Sequence, residues 1–446
     1  MTEIKSYLLA VALVSIVQLL MPQIPGVNGK LKGVRYYGNK LDWSEESDNL
    51  IDTIDNQIGS DIGFSDVEVI ASHNPDEDLS TPELVRKYGY PAETHEVTTQ
   101  DGFILTLHRI PHGRNDNSSD KKRPPILLHH GLFCSSADWI MNTVDKALGY
   151  QLADLGYDVW LANSRGNVYS RKHVSLTPDQ PQFWDFSFHE IGYYDLPAYI
   201  DYILTNTGEP ELFYIGHSMG TIAFWILMSE HPEYNSKIHS MFAMGPVAFL
   251  NGTVSPIHYL ADISTELRAA EALFGDREFL PQNGVVSKLH KTVCEEKFLK
   301  SLICENILFL MCGFDRAQLN ETMLPVIVAH TPAGTSSHTV IHFLQLMKSG
   351  KFRQFDFGKR HNKKRYGSEQ PPEYDLKKVT TKVALFYGQN DWLAVPKDVL
   401  ELSKALPNVV VTYKVKLEAF NHLDFLYAVD INKLLYNDLL KLLKEI

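Results

Sequence analysis

The sequence predicts an α/β fold, a mostly parallel central sheet with helical crossovers and a largely helical segment inserted after its first half. Three observations carry this. Short apolar runs alternate with helix-forming runs from Phe103 to Phe249 and again from Lys382 onward, the pattern of strand–helix–strand crossovers. Between those two stretches, about 130 residues lose the alternation and read mainly as helices. The pentapeptide Gly216-His217-Ser218-Met219-Gly220 sits at a strand-to-helix junction.

Each element follows from local pattern. Phe103–Ile110 is a strand stopped by Pro111, and Pro125–His130 is a buried strand ended by Gly131. Tyr157–Ala162 is another. Glu211–Ile215 leads into the pentapeptide, and Thr221–Glu230 continues as a helix with neither Gly nor Pro before Pro232. Ser240–Phe249 reads as the next strand. Glu296–Phe309 and Ser337–Lys348 are helical patterns in the inserted segment. Lys382–Tyr387 and Val409–Val415 then resume the sheet. The insertion follows directly on the half that carries Ser218, so residues 250–376 are expected to form a cap over it. Residues 81–249 and 377–446 are expected to form the two parts of the core.

A Gly-x-Ser-x-Gly at a strand-to-helix turn is the nucleophile elbow of the α/β-hydrolase fold. The serine takes a strained backbone conformation there, and a side chain two residues away on either side would clash with the neighbouring strand or helix. A serine hydroxyl is a poor nucleophile at neutral pH and needs an imidazole, itself oriented by an acid. In this fold the chain order is Ser, then acid, then His. Strand Lys382–Tyr387 runs into Gly388-Gln389-Asn390-Asp391, which makes Asp391 the acid. His422 follows the last strand and is the only histidine beyond His361. Asp424, two residues past the base, is expected to point elsewhere. The oxyanion formed on attack needs two preorganised N–H donors. Met219, next after the nucleophile, supplies one, and Leu132, just past Gly131, the other.

The remaining composition sets boundaries. Apolar residues make up 44% and charged residues 22% of the 446, ordinary for a chain with a sizeable core. Net charge is −12, yet Asp42–Ser80 holds 12 of the 54 acidic residues and no Lys or Arg, so the remaining 42 acids balance the 42 basic residues. A neutral body without a basic stripe argues against nucleic-acid binding. Lys5 followed by the apolar run Tyr7–Met21 reads as a secretory signal within residues 1–29, cleaved after Gly26 or Gly29. That run is short for a membrane span, and no comparable run follows, so no transmembrane anchor is expected in the mature chain. Residues 30–80 form an acidic extension. Passage through the secretory route makes Asn117, Asn251 and Asn320 sequons for glycans. Four cysteines are too few for a disulfide scaffold. One bridge within the group Cys294, Cys304 and Cys312 is expected, with Cys134 apart. No Cys/His set has zinc spacing, so neither a metal nor another cofactor is expected.

The chain resembles the acid lipases of the gastric and lysosomal lipase family. The matching segments run in order over about residues 81 to 440. They are Lys87-Tyr88-Gly89-Tyr90-Pro91, Thr99-Gln100-Asp101-Gly102-Phe103-Ile104-Leu105, His130-Gly131-Leu132 and Asn163-Ser164-Arg165-Gly166-Asn167, followed by the pentapeptide. Beyond it come His330-Thr331-Pro332-Ala333-Gly334-Thr335-Ser336, Asp391-Trp392-Leu393-Ala394 and His422-Leu423-Asp424-Phe425. The resemblance implies Ser218, Asp391 and His422 as triad, with Leu132 and Met219 as oxyanion donors. It also implies a disulfide between Cys294 and Cys304 that leaves Cys312 free, although the gap between the pair is one residue longer than the family's usual one. The acidic extension and Cys134 fall outside the family pattern. Residue chemistry alone reaches serine ester hydrolase. The resemblance narrows the substrate to neutral lipid, triacylglycerol or cholesteryl ester, met at an oil–water interface, and the location to secreted or lysosomal. The competing readings are a carboxylesterase for small soluble esters and a non-catalytic lipid-binding protein on the same fold. The second should lack a triad member or an elbow glycine, and none is lacking.

Overall fold

The computed structural model describes residues 74–116, 122–262, 277–279 and 311–446. The signal segment, most of the acidic extension, the helical pattern at Glu296–Phe309, Asn117, Cys294 and Cys304 lie outside the described residues.

The sheet has nine strands. Eight form its path: β1 (Glu93–Thr98), β2 (Phe103–Ile110), β3 (Pro125–His129), β4 (Asp158–Leu161), β6 (Leu212–His217), β7 (Ile238–Met244), β10 (Lys382–Tyr387) and β11 (Val409–Lys414). Across the sheet the order is β1-β2-β4-β3-β6-β7-β10-β11, and the short β5 (Lys172–His173) pairs with β2. From β4 to β11 every neighbouring pair is parallel, whereas β1 and β2 are antiparallel to each other and β2 is antiparallel to β4. Two further short strands, β8 (Glu278–Phe279) and β9 (Thr335–Ser336), pair apart from the sheet.

Both faces of the sheet are covered, as a parallel sheet requires. Alternate residues of one strand enter two separate cores. Leu127 of β3 joins Trp160, Tyr214, Met241 and Leu385 on one face, while Ile126 and Leu128 join Ile215, Phe242 and Phe386 on the other. The helix Met219–Glu230 is apolar all round and almost wholly buried in the first core. The C-terminal helix Asn437–Glu445 buries only Leu439 and Leu443, closing the second.

Two elements depart from the pattern read along the chain. β1, with sequence Glu-Thr-His-Glu-Val-Thr, buries only Val97 and so carries almost no apolar signal; it is specified by its antiparallel register with β2. The strand expected over Ser240–Phe249 starts at Ile238 and ends at Met244. Gly245 takes φ +54°, and Pro246 has no N–H for a ladder, so the chain turns and sends Val247, Ala248 and Leu250 into the core instead. At the other end of the acidic segment, Asn74 caps a short turn with a capping box to Glu77, and the buried Asp76 carboxylate bonds Lys87 and Tyr88. Residues 74–80 thereby belong to the folded body.

Between β7 and β10 the described residues are mainly helical: His258–Asp262, Leu324–His330, Ser337–Ser349 and Lys359–Tyr366. They meet the sheet's loops at specific points. Phe279 stacks on Phe133, and the Ala333 N–H donates to the Phe133 carbonyl at 2.6 Å. Among the described residues no helix is long and apolar enough to cross a membrane.

Candidate active site

The turn between β6 and its helix is built by two glycines. Ser218 adopts φ +52°, ψ −117°, one of two non-glycine residues with positive φ among those described. That conformation costs about 1–3 kcal/mol and persists only where the surroundings impose it. A Cβ on Gly216 would lie 2.9 Å from the Gly220 carbonyl carbon, and one on Gly220 would collide with the His129 carbonyl of the adjacent β3. The Ser218 N–H is anchored on the Met244 carbonyl of β7, 3.1 Å away. The serine is thus held at the C-terminal edge of the sheet by both neighbouring strands.

The residues expected as acid and base come from the loops after β10 and β11. Asp391 Oδ2 accepts from His422 Nδ1 at 2.7 Å, and both side chains are almost fully buried. Asp391 Oδ1 accepts from the backbone N–H groups of Leu393 (2.9 Å) and Ala394 (2.8 Å), so the carboxylate cannot rotate away. With Nδ1 carrying the proton toward Asp391, Nε2 of His422 is left as an acceptor; it is buried and has no hydrogen-bond partner among the described residues. The His422 carbonyl accepts from His217 Nε2 at 3.0 Å, which ties the base loop to the elbow residue before Ser218. Gly245 lies behind the pair: a Cβ there would sit 3.0 Å from His422 Cε1 and 3.4 Å from Asp391 Oδ2. The structure thus brings Asp391 and His422 together against Gly245, and Ser218 bonds through its N–H to the carbonyl of the residue before that glycine, Met244. Asp424 is buried but accepts from the Asn421 N–H at 2.7 Å rather than from the imidazole.

The expected oxyanion donors flank the serine. Met219 opens the helix, where the first-turn N–H groups have no helical acceptor and the helix dipole favours negative charge. Gly131, before Leu132, lies against the serine: a Cβ on it would be 3.3 Å from Ser218 Cβ. The orientation of the Leu132 N–H has a cause that residue spacing does not reveal. That N–H belongs to the same planar trans peptide as the Gly131 carbonyl, and the two point in opposite directions. His130 Nδ1 donates to the Gly131 carbonyl at 2.8 Å, and His130 Nε2 accepts from the Ser164 N–H at 3.1 Å. A neutral imidazole of fixed tautomer therefore clamps the peptide whose far side carries the Leu132 N–H. Burial pulls the His130 titration down to about 4, so it remains neutral above that pH. We expect His130→Ala to lower kcat by roughly 10²-fold, the scale of a one-ångström misplacement, with little change in KM; steady-state kinetics on a soluble ester checks this.

Other quoted motifs turn out to be scaffolding. Arg165 is buried and forks between Asp101 (2.6 and 2.9 Å) and Asp195 (2.6 and 2.8 Å), tying the start of β2 to the loop after β4. Asn163 Oδ1 accepts from the Ser136 N–H at 3.0 Å and from Asn167 Nδ2 at 3.1 Å. Cys134 and Cys312 are free thiols, and burial raises both. Asn251 is exposed in a turn, and Asn320 Oδ1 accepts from the Thr322 hydroxyl at 2.7 Å. Among the described residues no cluster of His, Cys, Asp and Glu could hold a metal ion.

Comparison with known proteins agrees with this geometry. A family model described as a partial alpha/beta-hydrolase lipase region matches residues 81–143, and one for the alpha/beta hydrolase fold matches residues 124–278. A solved chain from Sulfolobus solfataricus, described as a candidate lipase, shares the fold with a TM-score of 0.51 at 13% identity, covering 80% of this chain and 95% of that one. The chain is an α/β-hydrolase. The gastric triacylglycerol lipase of Rattus norvegicus is 41% identical over 373 residues, 83% of this chain and 93% of that lipase. The lysosomal acid lipase/cholesteryl ester hydrolase of Homo sapiens is 40% identical over 373 residues, 83% of this chain and 92% of that enzyme. This chain belongs to the gastric and lysosomal acid lipase family.

Proposed function

We propose that this protein is a serine lipase that hydrolyses neutral lipid esters, triacylglycerol or cholesteryl ester, through an acyl-enzyme. The observation that carries the reading is the buried Asp391–His422 pair, 2.7 Å apart, which His217 bonds at the residue before a serine on a strained elbow. Ser218 Oγ attacks the acyl carbonyl while His422 Nε2 takes its proton. Asp391 holds the imidazole in the required tautomer and stabilises the imidazolium that forms. The tetrahedral oxyanion is met by the N–H groups of Leu132 and Met219. As the intermediate collapses, His422 returns the proton to the leaving alcohol, and the acyl group stays on Ser218. A water, deprotonated by the same Nε2, then releases the fatty acid.

The substrate class draws on the relatives named above and on the segment between β7 and β10. Residues 250–376 act as a cap. Contacts from Phe279, Ala333 and Cys312 reach the oxyanion, acid and base loops, and Ser218 is only 9% exposed. An enclosed apolar channel favours long acyl chains, since each buried methylene contributes about 0.8 kcal/mol. Action at an oil–water interface, secretion or lysosomal delivery, and glycans on Asn117, Asn251 and Asn320 complete the reading, with Cys294–Cys304 as its disulfide.

The test is an activity profile on emulsified triolein, cholesteryl oleate and p-nitrophenyl butyrate across pH 4 to 8. The lipase reading expects rates to rise once substrate passes its solubility limit. A simple hyperbola on short esters, with no turnover of either emulsified lipid, would favour a carboxylesterase for small soluble esters.

A further inference from the structure

Two asparagines stand immediately before the residues read as acid and base: Asn390 before Asp391 and Asn421 before His422. Both send a side-chain amide to one strap, Cys312–Phe314, in the segment between β7 and β10. Asn390 Nδ2 donates to the Phe314 carbonyl at 2.8 Å, and Asn421 Nδ2 to the Gly313 carbonyl at 2.9 Å. The Cys312 carbonyl accepts from the Trp392 N–H, just past Asp391, and from the His422 N–H itself, 3.3 Å each. Three consecutive carbonyls therefore hold both loops in one register. The packing leaves no slack. At Gly313, φ +108°, a Cβ would collide with the Asn390 carbonyl and lie 3.1 Å from Asn421 Cβ and 3.2 Å from Trp392 Cδ1.

Both amides are fixed from their other side. Asn421 is fully buried, and its Oδ1 accepts from the Leu423 (2.8 Å) and Asp424 (3.1 Å) N–H groups. Its own N–H donates to Asp424 Oδ2 at 2.7 Å. This reciprocal cap fixes the turn in which His422 sits. Asn390 Oδ1 accepts from Trp392 Nε1 at 2.9 Å, and its Nδ2 also donates to the Ala419 carbonyl at 3.2 Å. The Asn390 N–H reaches the Phe420 carbonyl at 3.2 Å, a second tie from the acid loop to the base loop. At either position an ionised aspartate would present only lone pairs to the strap carbonyls, and a leucine neither donor nor acceptor.

We propose that Asn390 and Asn421 are positioning residues for the hydrolysis: through their amides the Cys312–Phe314 strap sets the acid loop and the base loop against each other. The kinetic consequence rests on the lipase reading above. The contact at stake is the one between Asp391 Oδ2 and His422 Nδ1, 2.7 Å, which must hold while the imidazole takes and returns a proton. Both amides bond backbone carbonyls, so substitutions there leave the reacting groups chemically intact and alter only their alignment. The inserted segment thereby takes part in catalysis through its backbone, beyond covering the serine.

The test compares full-length wild type, Asn421→Ser and Asn390→Ala by kcat and KM on p-nitrophenyl butyrate, well below each protein's melting temperature, and by hydrogen–deuterium exchange. Serine at 421 can still accept from the Leu423 and Asp424 N–H groups but is too short to reach Gly313, so it separates the strap from the local cap. Each variant is expected to lose about tenfold in kcat with KM little changed, since a shift of less than an ångström costs less than the roughly 10²-fold of a full one. Exchange should also rise in the loop that was not substituted, at the Trp392 N–H in Asn421→Ser and at the His422 N–H in Asn390→Ala. The expected rise is about fivefold, the scale of one weakened hydrogen bond. Wild-type kcat in either variant would overturn the proposal, as would exchange that rises only in the substituted loop. If the wild type hydrolyses no ester at all, the lipase reading fails, and the exchange data alone decide the strap.

Discussion

Ser218→Ala is expected to abolish ester hydrolysis, with kcat falling by on the order of 10⁶-fold, while the protein stays folded. The size of the loss follows from the division of labour in the site. Without Oγ no acyl-enzyme forms, and only oxyanion stabilisation and substrate binding remain. The fold should survive because the elbow is imposed by backbone: the Ser218 N–H bond to the Met244 carbonyl and the close contacts at Gly216 and Gly220 do not involve the hydroxyl. Alanine at φ +52° is no more strained than serine. Turnover by the variant, compared with circular dichroism and melting temperature, checks the expectation. Comparable activity in the folded variant would remove Ser218 from the mechanism.

The second large effect is at the acid–base pair. Asp391→Asn should cost roughly 10⁴-fold in kcat, because an amide N–H facing Nδ1 forces the wrong imidazole tautomer and points a proton at Ser218. His422→Ala should approach the serine variant, since the two act as one unit. Asp424→Asn should be far milder. Its oxygen can still accept from the Asn421 N–H. Parallel kinetics on the three variants measures this. A greater loss at Asp424 than at Asp391 would mean that the imidazole takes its orientation from the wrong carboxylate in this account.

The site was legible in the sequence where chemistry is tied to strand ends. The apolar runs Lys382–Tyr387 and Val409–Val415 mark where β10 and β11 stop, and the residues proposed as acid and base follow directly. The elbow announces itself because only glycine tolerates the contacts at 216 and 220. Legibility failed where a role depends on a partner distant along the chain. β1 is polar at nearly every position and is recognisable only through its register with β2. Nothing in His130-Gly131-Leu132 discloses that the imidazole bonds the carbonyl behind the Leu132 N–H. The contacts of Cys312, Gly313 and Phe314 with the loops after β10 and β11 were hidden as well, because they come from three backbone carbonyls, which carry no residue code. The end of β7 was a different failure: Phe249 and its apolar neighbours extend the pattern past Gly245-Pro246, although those two residues already forbid a continued ladder.

The central claim, that Ser218 is the nucleophile of a lipid esterase, is tested most directly by trapping it. Incubation with a long-chain alkyl fluorophosphonate, followed by peptide mass spectrometry, should find one adduct per chain, on Ser218, formed in proportion to the loss of triolein hydrolysis. An adduct on another residue, or full inhibition with Ser218 unmodified, would contradict the account.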